Sequence, residues 1–92
     1  MSLILIPRES LKNKFEKFMD AHNLIRMANQ IGAFFESMPN KQEAQEGIVN
    51  HIQKFWDPRM RKAFLGAIDA NQDQALNQFV KDAITSHRGQ LI

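Results

Sequence analysis

From Ser10 onward the apolar residues of this chain return every three or four positions, the spacing that lines one face of an α-helix. Leu11, Phe15, Phe18 and Met19 form the first stripe, over residues 10–20. Leu24, Met27, Ala28, Ile31, Phe34, Phe35 and Met38 form the second, over residues 21–38. The stripe shifts near His22. The pattern therefore predicts a break there, with Asp20 as N-cap and Met19 and Leu24 as a hydrophobic staple. A single long helix through both segments is the alternative.

Pro39 ends the second helix, and Asn40 with Glu43 has capping-box spacing. The next stripe is Ala44, Ile48, Ile52, Phe55 and Trp56. At Asp57–Pro58 the aspartate suits an N-cap and the proline suits a first helical position, so a sharp turn is expected. Met60, Ala63, Phe64, Ala67 and Ile68 line the helix that follows. Asn71 with Gln74 repeats the capping spacing before a last helix carrying Leu76, Phe79, Val80, Ala83 and Ile84. His87 and Arg88 suit its negative end, and Gly89 its C-cap. Trp56 and the phenylalanines are expected in the core.

No stretch alternates as a half-buried strand does, apart from Leu3–Ile6, which reads as a short strand, a docked arm or an edge that pairs with another copy. Short connections favour antiparallel neighbours. The expected fold is all-α: a compact bundle of four main helices over residues 22–92, with an N-terminal helical arm over residues 1–21. Gly32, Gly47 and Gly66 fall inside helices, where glycine costs about 1 kcal/mol relative to alanine. Three such positions imply close approach of backbones, within the bundle or against another chain.

Composition narrows the functional classes. Ninety-two residues suffice for one small domain, and 43% hydrophobic content suits a globular fold. The net charge of +2 is a weak signal for nucleic acid. The absence of cysteine excludes disulfides, thiolate metal sites and cysteine nucleophiles. Four consecutive apolar residues near the start fall short of a signal peptide, and of the roughly 20 a membrane span needs. A soluble cytoplasmic protein is expected.

No catalytic constellation emerges. His22, His51 and His87 lie in different segments without a second ligand at helical spacing, so no metal site is expected. Glu43 and Glu46 sit where negative charge stabilises a helix start. Asp69 and Asp73 flank a turn, and no serine sits on a strand-to-helix elbow. The cations after Pro58 remain. Arg59, Arg61 and Lys62 oppose the dipole of the helix they open. They are either ordinary solvated charge or a cluster that meets acidic groups on another surface, to which arginine's planar fork is suited. Arg26 and Lys54 are candidates to extend the patch.

"NLIRMANQIGAFFESMP" and "EGIVNHIQKFWDPRMRKAF" resemble the delta subunit of cytoplasmic NAD-dependent formate dehydrogenases, over about residues 22–88. "RMANQIG" and "FWDPRMR" are the most distinctive parts. The resemblance implies a small accessory subunit without a cofactor. The molybdenum or tungsten pterin, iron–sulfur clusters and flavin would belong to larger subunits, whose assembly this chain would support. It gives Arg59, Arg61 and Lys62 an expected role in partner binding; Arg26 matches the shared motif without a family role and is expected to bind the partner only as an extension of the charge patch. The segment before His22 has no counterpart in the family pattern, and "NQDQ" is polar where relatives often carry glycine. Self-association through the arm stays open as a further contact. The alternative from a different class is a small helical nucleic-acid-binding or regulatory protein.

Overall fold

Four α-helices run through residues 20–92, the part of the chain that the computed structural model describes: α1 Ala21–Glu36, α2 Lys41–Phe55, α3 Pro58–Asp69 and α4 Gln78–Ser86. A short 3-10 turn, Arg88–Gln90, follows, and the described residues include no strand. The chain is therefore an all-α bundle, as its periodicity predicts. The expected Leu3–Ile6 element, the first amphipathic stripe and the Met19–Leu24 staple lie outside the described residues.

Local chemistry sets most of the helix starts. Asn40 accepts a hydrogen bond from the Glu43 N–H at 3.0 Å, and Asp57 accepts one from the Met60 N–H at 3.0 Å. Each satisfies a donor that the first helical turn leaves unpaired. Pro58 occupies the first turn of α3, and Trp56 and Asp57 are extended, which makes the α2–α3 corner sharp. Asp20 is extended at the start of α1, but its side chain makes no capping bond. The expected cap there is corrected.

The second correction concerns residues 70–77, where Asn71 and Gln74 do not open the last helix. Asn71 has φ 59°, in the left-handed region that asparagine tolerates, and its carbonyl accepts from the Gln74 side chain at 2.6 Å. The helix starts later, capped by Asn77, whose side chain accepts from the Phe79 N–H at 2.8 Å. Leu76 is buried from the loop rather than from α4. Gly89 lies inside the 3-10 turn, and His87 is the residue that caps α4.

Asn29 holds this loop in place. Its Nδ2 donates to the Ala75 carbonyl at 2.9 Å, and its Oδ1 accepts from the Asn77 N–H at 2.8 Å. One side chain of α1 thus fixes the residue that caps α4. Replacing it with alanine is expected to lower stability by about 1–3 kcal/mol. Asn29→Asp, which keeps the acceptor and loses the donor, should recover only part of that. Urea unfolding of the three proteins checks both values.

Packing centres on α1, which contacts α2, α3 and α4, while α4 also packs on α2. Leu24, Ile48, Val49, Ile52, Phe64, Val80 and Ile84 are fully buried. Each such side chain removed from water contributes about 1.5–3 kcal/mol. Gly32 permits the α1–α4 approach, because a Cβ there would collide with Cγ2 of Val80. Gly47 faces the ring of Phe35 in the same way. These two glycines mark close approach within the bundle; Gly66 does not, as described below.

Among the described residues two phenylalanines depart from the expected core: Phe34 is 73% exposed and Phe55 is 70% exposed. Phe34 lies about a third of a turn from the middle of the buried stripe Leu24–Ala28–Gly32. Phe55 is the last residue of α2, beside His51. Ile25, Val49 and Leu65 are buried in their place.

Candidate partner-binding surface

The corner between α2 and α3 brings the end of one helix beside the start of the next. It explains one of the three cations after Pro58. Arg61 reaches back to the last turn of α2, where its guanidinium donates to the Gln53 carbonyl at 2.9 Å. Positive charge is unfavourable at the start of α3 but favourable at the negative end of α2. Arg61 is half-buried, and its Nε is buried without a hydrogen-bond partner among the described residues. It is therefore partly committed to the fold.

The other two cations face outward. Arg59 is exposed, with its guanidinium 4.0 Å from the Asp57 carboxylate, and Lys62 is exposed on the next turn position. Arg26 is exposed on α1, where it donates to the Asn23 side chain at 2.7 Å. The structure thus brings Arg61 and Lys62 together and sets Arg59 beside them on the same first turns. Arg26 and Lys54 do not line the groove that Arg61 and Lys62 share.

That groove runs along the outer face of α3, opposite Met60, Phe64 and Ala67, and has a volume of about 630 Å³. Pro58, Arg61 and Lys62 form one end. Leu65, Gly66, Leu91 and Ile92 supply an apolar floor and wall. The far end is closed by a two-pronged ion pair, in which Arg88 donates to both Asp69 oxygens at 3.0 and 2.7 Å. Leu65 belongs to the outer face yet is buried, as is Leu91 after the 3-10 turn, and both join the core cluster and line the groove. Ile92 is 87% exposed. Neither the groove nor the Asp69–Arg88 pair follows from spacing along the sequence.

A second groove, of about 460 Å³, lies between α1 and the end of α2 and is lined by Met27, Ile31, Phe34, Phe35, His51 and Trp56, with Gln30 at its edge. Three of its rings form a chain that Phe55, outside the lining, extends. Phe34 meets Phe35 edge to face at 5.1 Å, Phe35 meets His51 at 6.5 Å, and His51 meets Phe55 at 4.7 Å. His51 is thus a boundary residue set among aromatic rings.

The carboxylates that flank the turn after α3 each have a cation of their own. Asp69 takes Arg88, and buried Asp73 lies 3.0 Å from the Lys81 Nζ. The Lys81 ammonium beside it holds the Asp73 carboxyl below its ordinary value. The described residues contain no group of three or more His, Cys, Asp or Glu side chains arranged to hold a metal ion. No described helix is long and apolar enough to cross a membrane.

These features define a small helical protein with an apolar, cation-edged groove on one helix face. Residues 23–84 match the family described as NADH-dependant formate dehydrogenase delta subunit FdsD, and the chain belongs to that family. The match spans both "RMANQIG" and "FWDPRMR", and with them Asn29 and the α2–α3 corner. No curated protein and no solved structure matches the chain.

Proposed function

We propose that this chain is a non-catalytic, cytoplasmic subunit that supports assembly or stability of a formate dehydrogenase complex. It does so by docking the outer face of α3 onto a larger subunit. Family membership supplies the complex, and the groove beside Arg59, Arg61 and Lys62 is the observation that carries the docking role. Cations at the rim suit an acidic partner surface, while the apolar floor supplies area removed from water. The redox groups and the formate chemistry belong to the larger subunits in this reading. Arg26, on α1, is assigned a peripheral electrostatic contact.

Arg61 is a poor residue for testing the role, because its substitution also strips a bond from the end of α2. Arg59→Glu with Lys62→Glu is the better pair, since both side chains are exposed. The isolated double variant should keep its helical circular dichroism. Co-expressed with the larger subunits, it should be retained about tenfold less well, a loss of about 1.4 kcal/mol. Undiminished retention, together with unchanged heat stability of the complex, would overturn the docking role.

A further inference from the structure

Gly66 is the inner glycine of a helix that has no use for it inside the bundle. A Cβ at Gly32 would strike Val80 and one at Gly47 would strike the Phe35 ring, but a Cβ at Gly66 would meet nothing within 4 Å. Alanine there would favour the helix and would fit. Gly66 is exposed, and it lies in the floor of the groove between Leu65, Leu91 and Ile92, one turn beyond Lys62. From the structure we infer that Gly66 is the point of closest approach of a partner helix, which lies in this groove with an apolar side chain over Gly66.

The chemistry of the groove describes that helix. The floor takes an apolar side chain against Leu65 and Leu91, and exposed Ile92 folds over its flank. Arg61 and Lys62 at the entry, with Arg59 beside them, call for carboxylates one turn away from that apolar residue. At the other end, Asp69 has its charge met by Arg88 and does not repel an acidic partner. The absent Cβ leaves room for the two backbones to come within the distance that small residues allow at helix–helix contacts. The occupant is therefore an acidic amphipathic helix of a larger subunit. The inference rests on the docking role proposed above and names the partner element for that site.

The test sets stability of the free chain against binding. The purified chain is titrated into the larger-subunit assembly produced without it. Gly66→Ala should raise the melting temperature of the free chain by a few degrees and weaken binding about tenfold. Gly66→Trp should leave the chain folded, because its side chain enters open space, and should abolish binding. Wild-type binding by a folded Gly66→Trp chain would sink the groove assignment and leave the docking role standing. So would loss of binding on Phe34→Ser with Gly66→Trp unaffected, which would move the contact to the aromatic groove. Failure of the wild-type chain to bind would overturn both.

Discussion

Truncating Trp56 to alanine is expected to cost about 3–5 kcal/mol, at the top of the range for a core side chain. Total stability for a chain of this length is on the order of 5–14 kcal/mol, so the variant would be near or below the threshold for staying folded. The reason is position as much as size. Trp56 is 5% exposed and stands where α2 ends, its ring edge to face with Phe64 at a centroid distance of 5.3 Å. Phe64 is fully buried. Removing the indole opens a cavity against the one ring that ties the α2–α3 corner to the core. Phe64→Ala should cost a similar amount. The double variant should lose less than the sum, by about 0.5–1.5 kcal/mol, because each single change already forfeits the ring contact. Urea unfolding in a fixed background of a stabilising osmolyte, which keeps the variants folded at zero urea, checks the cycle. A loss below about 1.5 kcal/mol for Trp56→Ala would contradict its place in the core.

The second large effect reverses the usual gain from replacing a helical glycine. Gly32→Ala should lower stability by about 1–3 kcal/mol, although alanine is the better helix former. The added methyl would occupy the place of Cγ2 of Val80, and Val80 is fully buried. A β-branched side chain has one strongly preferred rotamer in a helix and cannot swing aside cheaply. The two helices must separate instead, and α1 is the helix on which α2, α3 and α4 all depend. Val80→Ala in the same chain should restore part of the loss, since it removes the colliding atom. If Gly32→Ala melts above the wild type, the α1–α4 approach is not as close as described. The same substitution at Gly66 has the opposite expected sign, so the pair separates a glycine required by the bundle from one that is not.

Much of this fold was legible because the determinants are short-range. Asn40 and Asp57 cap their helices through bonds to residues three positions on, and Pro58 acts on its immediate neighbour. Such rules depend on little beyond local geometry. The 70–77 loop was not legible, because it is fixed by Asn29, 46 and 48 residues away from the backbone groups it binds. A capping spacing at Asn71 and Gln74 carried no information about that clamp. Phe34 was misplaced for a different reason. Counting three- and four-residue steps admits a wide stripe, whereas burial follows the phase of that stripe relative to its neighbours.

The groove along α3 divides in the same way. The charges of Arg59, Arg61 and Lys62 were visible, and so was the oddity of three glycines within helices. Their assignment was not, because it depends on how helices meet. Arg61 is drawn to Gln53 by the corner, Gly32 and Gly47 are filled by side chains from other helices, and Gly66 is left open. The groove itself is built partly by Leu91, which lines it beside the Asp69–Arg88 pair.

That placement has a practical side. Whatever is joined after Ile92, a purification handle or further polypeptide, would emerge at the mouth of the groove and compete with an incoming chain for it. Capture assays made with such a fusion would score the obstruction as lack of affinity.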